Sequence, residues 1–154
     1  MATLGSFSKR IKILGDRVVE NAAQIARRAA LAVDQTVVFA TPVDTGRARS
    51  NWQVRLGQAA GGTLPEPSSA EGGAQRAVSE GQRVIPQFKG DGEIHITNNL
   101  DYIQKLNEGS SAQAPEGFVE IAVQAGVSSV TKNKSKILVR TSGNSNVLFL
   151  KVNV

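Results

Sequence analysis

The chain has 154 residues, a formal net charge of +5 and no cysteine, so disulfide bridges and thiolate metal sites are excluded and nothing requires an oxidising compartment. Its 16.3 kDa suits one domain. With 40% apolar but only 5% aromatic residues, the core must rest on Ala, Val, Ile and Leu, thin enough that burial against neighbouring subunits is expected.

Met1 to Phe7 lack the basic-then-apolar order of a secretory leader, and no apolar run approaches the roughly 18 residues of a membrane span. The expectation is a soluble protein made in the cytoplasm, with no membrane partner. Lysines and arginines are spread along the chain rather than gathered into a nucleic-acid-binding arm, so a solvated basic face accounts for the charge more simply than a surface turned to DNA or an acidic partner.

In residues 16–40, Val18, Ala22, Ile25, Ala26, Ala29, Val33, Val37 and Ala40 recur at steps of three, four and seven, which predicts a long amphipathic helix. Asp16, after Gly15, is its predicted N-cap and Pro42 its stop, because the residue before a proline is pushed out of helical dihedrals. The many alanines let another element or a second copy approach closely, with Arg27 and Arg28 on the polar side. Phe7 to Leu14 reads as a first helical turn or an arm.

Pro42-Val43-Asp44-Thr45-Gly46 is a turn in which Gly46 supplies a positive φ and Asp44 can accept from the following backbone. Arg47 to Gly57 then alternates, Ser50, Trp52, Val54 and Leu56 on one face and Arg49, Asn51, Gln53 and Arg55 on the other, which predicts a half-buried strand with Trp52 in the core. On such a strand Arg47 and Arg49 share a face. They could grip a carboxylate of a neighbouring subunit, form a solvated face or, ranked below both, face DNA phosphates.

Gln58 to Gly73 is rich in Gly, Ala, Pro, Ser and Glu and reads as a long flap. Ala74 to Ile85 is a short helix before Pro86, and Glu93 to Thr97 a second strand after the turn residues Gly90, Asp91 and Gly92. Leu100 to Gly109 is a short helix carrying Tyr102, Ile103 and Leu106 on one side and ended by Gly109. Pro115 opens a last helix, striped by Phe118, Ile121, Ala122 and Ala125 and running to about Val130.

Beyond Val130 come Lys132, Lys134 and Lys136, then Ile137 to Thr141 and Val147 to Val154 about a Ser142-to-Asn146 turn, a hairpin or two arms. The terminal piece, with Phe149 at its centre, would expose an aggregation-prone edge unless it pairs with something. Two divisions follow: residues 1–130 as a single α+β domain and 131–154 as a C-terminal β arm or hairpin.

Enzyme chemistry finds no support. His95 is the sole histidine, its strand carries no nucleophile signature, and multi-histidine metal sites are ruled out. Gly61-Gly62 and Gly72-Gly73 lack the lysine of a phosphate loop, and Asp91 and Glu93 read as solvated rather than as an acid-base pair. The chain is expected to be no enzyme and to carry no cofactor and no metal.

Thr41-Pro42-Val43-Asp44-Thr45-Gly46-Arg47-Ala48-Arg49-Ser50 with its Trp-bearing strand, then Ile96 to Ile103, then Leu106 to Phe118, together resemble the tail-completion and head-to-tail joining proteins of tailed bacteriophages. The likeness covers residues 15 to 127 and leaves out the C-terminal piece. It implies an α+β fold, a small antiparallel sheet packed against a long N-terminal helix and a shorter late helix, with an extended loop and a C-terminal arm. It also implies a structural virion protein at the neck or head-proximal tail end. That protein would be a homo-oligomeric ring, six-fold in the first instance or twelve-fold, touching portal, adaptor or stopper and tail proteins while DNA passes its lumen without sequence-specific binding.

Candidate subunit-contact residues are Asp44, Arg47, Arg49, Tyr102, Glu108 and Phe149. The alternatives are a tail terminator or tail assembly protein, and a basic nucleic-acid-binding module.

Overall fold

The computed structural model describes residues 4–130, 137–141 and 147–152. The lysine-bearing stretch 131–136, the 142–146 turn and the terminus at Val154 lie outside the described residues. The expected α+β architecture is present: a long N-terminal helix, a small antiparallel sheet and a late helix.

The first helix, α1, runs Leu4–Ala40. Gly15 and Asp16 therefore lie inside it rather than at its start. One interior glycine costs only about 1 kcal/mol against alanine, too little to end a helix whose flanks both favour it. At the other end Thr41 still donates to Val37 O (3.1 Å) before Pro42 stops the ladder.

After the turn, Gly46 sits at φ 85° and Arg47–Ser50 form one helical turn, α2, closed by Ser50 N donating to Gly46 O (3.0 Å). The predicted strand is thus shortened to β1, Gln53–Leu56. A left-handed glycine starts a helical turn there, and alternation alone could not register it.

Helix α3, Ala70–Val84, starts earlier than its sequence suggests. Ser69 caps it by accepting from Gly72 N, and Gly73 and Gly81 lie on its buried side. Those glycines are poor helix formers kept by packing: a Cβ on Gly73 would meet Pro67 Cγ at 2.7 Å. Nor is the preceding loop a free flap. Asn51 Oδ1 accepts from Leu64 N (2.6 Å), and Gln53 and Asn99 donate to Gly62 O.

Strand β2, Ile94–Thr97, is buried at all four positions because it lies inside the sheet. β3, Ile137–Thr141, and β4, Val147–Val152, complete an antiparallel order β1-β2-β4-β3. Ile94 is paired with Leu56 on one side and Leu150 on the other.

A short helical turn α4, Ile103–Lys105, runs into Leu106–Ser110, where Gly109 has φ 87°. The last helix, α5, spans Phe118–Val130 and starts three residues after Pro115. Asn107 sets that start, its carbonyl accepting from Gly117 N (2.7 Å) and its side chain from Val119 N (2.9 Å). Ile121 and Ala125 consequently face solvent, and the buried stripe is Phe118, Ala122, Val123 and Gly126.

The core joins Ala26, Ala30, Val33 and Val37 of α1 to Trp52, Val54, Ile85, Ile94, Ile96, Ile103 and Phe118. The long and late helices meet at Gly126, where a Cβ would stand 2.7 Å from Val33 N. Gly126→Ala is therefore expected to force the helices apart and cost about 1–3 kcal/mol, visible as a lower thermal midpoint. An unchanged midpoint would mean the two helices can separate freely.

Candidate functional site

The turn after α1 is held from four directions. Thr41 Oγ1 donates to Val37 O (2.7 Å) and accepts from Trp52 Nε1 (2.8 Å). Asn51 Nδ2 donates to Arg47 O (2.8 Å), and Asn98 Nδ2 to Ala48 O (2.9 Å). Gln113 binds Val43 both ways, accepting from its N (2.9 Å) and donating to its O (2.8 Å). On the far side Gly46 lies so close to Ala70 that any Cβ there would overlap it.

These ties draw the 41–50 segment against the 102–113 segment and leave a cleft of about 280 Å³ between them, lined by Pro42 to Ala48 with Tyr102, Leu106, Ser111 and Gln113. The stretches singled out in the sequence for their order along the chain thus converge on one surface. Asp44, Arg47 and Tyr102 line the cleft together. Burial pushes the Tyr102 hydroxyl above its usual value, while the Arg47 charge nearby acts to lower it.

Arg47 and Arg49 do not act as a pair. On a helical turn residues two apart point to nearly opposite sides, and the two guanidinium groups separate accordingly. Arg49 turns back, donating from Nε to Thr41 O (2.8 Å) and from Nη2 to Phe39 O (3.0 Å). It thereby satisfies carbonyls left open at the end of α1. Burial lowers its pKa from the ordinary arginine value, but the role is structural. Arg47 faces the cleft, and its Nε is buried without a hydrogen-bond partner among the described residues.

Glu108 stands apart, exposed and accepting from Gln104 Nε2 (3.1 Å). Phe149 is placed by its backbone alone, opposite His95 on β2 and Arg140 on β3. His95 itself is buried in the sheet, its Nε2 3.4 Å from Glu93 Oε2.

A second cleft of about 210 Å³, between β1 and α3, has Arg55, Arg76 and Glu80 on its rim. There Glu80 is taken, accepting from Arg55 and Arg83 at 2.9 Å each. Burial acts to raise its pKa, but these two arginines outweigh it and hold the carboxyl below its usual range. With its acid engaged by two bases, this cleft is the poorer candidate for contact.

Sequence reasoning missed Asp34. It is 1% exposed in the core, and neither oxygen has a hydrogen-bond partner among the described residues. Its carboxylate lies against Gly81 of α3 so closely that no side chain larger than glycine's fits there. Burial raises its pKa to about 7. The signal was present: Asp34 interrupts the four-residue steps of Ala30 and Val38, both fully buried.

Among the described residues no helix is long and apolar enough to cross a membrane, and no three metal-ligating side chains are grouped. No family model, no curated protein and no solved structure matches this chain.

Proposed function

We propose that this chain is a structural subunit of a tailed-bacteriophage neck, forming a homo-oligomeric ring at the head-to-tail interface through which DNA passes. The observation that carries the reading is the Arg47 cleft. The segments bearing the resemblance to joining proteins come together there, around a guanidinium whose buried Nε has no partner of its own. Arg47 as a whole is only half-buried, so a carboxylate from a neighbouring copy that enters the cleft can pair with its guanidinium in the fork geometry arginine favours once the side chain turns outward. Tyr102 and Asp44 beside it offer the same neighbour a hydroxyl and a second charge. In a ring the contact repeats around the axis, so a modest gain per subunit sums over the assembly. No bond is made or broken, and stability comes from burial between copies and against portal, adaptor, stopper or tail proteins.

The purified chain is expected to assemble to a multiple of 16.3 kDa, alone or when mixed with neck and tail proteins. Arg47→Ala is expected to weaken that assembly at least tenfold in concentration dependence, consistent with the roughly 1.5–3 kcal/mol of a charge-assisted hydrogen bond, with the thermal midpoint of the dissociated monomer unchanged. A mass that stays monomeric in every mixture would sink the proposal. Strong duplex-DNA binding that falls steeply with salt would instead favour a nucleic-acid-binding module.

A further inference from the structure

We propose that the N-terminal half of α1 is a contact between copies of this chain, in which two such helices lie side by side, parallel and in register. Residues 8–21 are exposed throughout, although Ile11, Leu14 and Val18 are 54%, 60% and 48% exposed large apolar side chains. Apart from Val19, which lies against Gly90, a helical segment of this length has little tertiary support among the described residues and is marginal in water, and Gly15 weakens it further. Its helicity calls for a partner.

The spacing names the kind of partner. Ile11, Leu14, Val18 and, one heptad on, Ile25 follow the alternating three- and four-residue steps of a helix seam, and in the sequence the same steps lead back to Phe7 and Leu4. Alternating three- and four-residue steps suit packing along another helix, with Asn21 at the seam position between Val18 and Ile25 and the exposed Ile13 and Val19 beside the stripe.

The flanks name the partner as a second copy and set its direction. On one side of the seam stand Ser8, Gly15 and Ala22, and on the other Arg10 and Arg17. In a parallel, in-register pair Arg10 of one copy lies across from Gly15 of the other, and Arg17 across from Ala22. The arginine stems can then cover the seam with their charges in water. Antiparallel pairing would bring Arg10 toward Arg17 and set like charges together. A lipid surface suits the stripe less well, because it carries no Trp or Tyr between Ile11 and Ile25 and its polar side includes Asp16 and Glu20.

The chain has no cysteine, so single thiols can be placed in the full-length protein. Ile11→Cys and Ile25→Cys lie about 21 Å apart along the helix. With a short bis-maleimide, each variant alone is expected to give covalent dimers, whereas Lys9→Cys, on the opposite side of the helix, is not. Dimers that form only when the two isoleucine variants are mixed would overturn the parallel arrangement, and no dimers with either would overturn the contact.

As a second readout, Leu14→Glu combined with Val18→Glu is expected to raise the concentration needed for association at least tenfold while the thermal midpoint of the dissociated chain, measured at low concentration, holds. An unchanged association would contradict the proposal. So would a monomer that co-sediments with phosphatidylserine-phosphatidylcholine vesicles and loses that binding in the double variant. The contact stands apart from the neck reading: cross-linking as expected in a protein absent from phage particles would keep the first and remove the second.

Discussion

A chain ended after Val130 is expected to lose its cooperative fold. The loss would remove β3 and β4, and β4 is an interior strand: Ile94, His95, Ile96 and Thr97 pair with Leu150, Phe149, Leu148 and Val147. Without it β2 becomes an edge strand whose backbone groups have no ladder on one side and whose residues, all buried in the full chain, face water. Unpaired backbone groups and a bare apolar edge both favour aggregation. The two strands left, β1 and β2, are a hairpin-sized sheet that does not hold up on its own in water. Circular dichroism is expected to show a broad thermal transition, and light scattering a rise in aggregates. A sharp transition at the full-length midpoint would show instead that the C-terminal hairpin is an ornament on a complete domain.

Asp34→Asn is expected to change how stability depends on pH, and the direction follows from burial alone. The folded carboxyl keeps its proton up to about pH 7, whereas its ordinary value is 3.8. Between those two values the folded state holds a proton that the unfolded state has released, so stability falls as pH rises through this window. At about 1.36 kcal/mol per pH unit of difference, the loss by pH 8 is up to about 4 kcal/mol. The wild-type melting temperature is therefore expected to drop between pH 5 and 8 by several degrees. Asp34→Asn should be nearly flat over that range, and more stable than wild type at pH 8. Parallel slopes for the two proteins would mean that Asp34 is ionised or solvated in the folded state.

The same residue marks where sequence reading ends. Periodicity found α1, the β1 and β2 strands and the late helix, because each has one buried side and a repeat of 3.6 or 2 to announce it. It placed Trp52 and Phe118 inside, where they are 2% exposed. What it lost were local events that carry no period. The left-handed Gly46 turns Arg47–Ser50 into a helical turn, and Asn107 reaches forward to start α5 at Phe118 rather than at Pro115. Packing rather than propensity admits Gly73 and Gly81 to α3.

The candidate site was half legible for the same reason. The turn and Tyr102 stand out in the sequence, but their convergence depends on side-chain ties such as Gln113 to Val43, seventy residues apart. The separate fates of Arg47 and Arg49 depend on a helical turn that alternation mimics as strand. Arg49, which looked like half of an anion grip, instead caps α1.

A reconstruction of tailed-phage particles assembled with this chain present tests the central claim most directly. The account predicts a closed ring of this chain between head and tail, with Arg47 of each copy meeting a carboxylate of the next. Particles that attach tails and deliver DNA with no density for it, or a ring whose subunits meet far from that cleft, would contradict it.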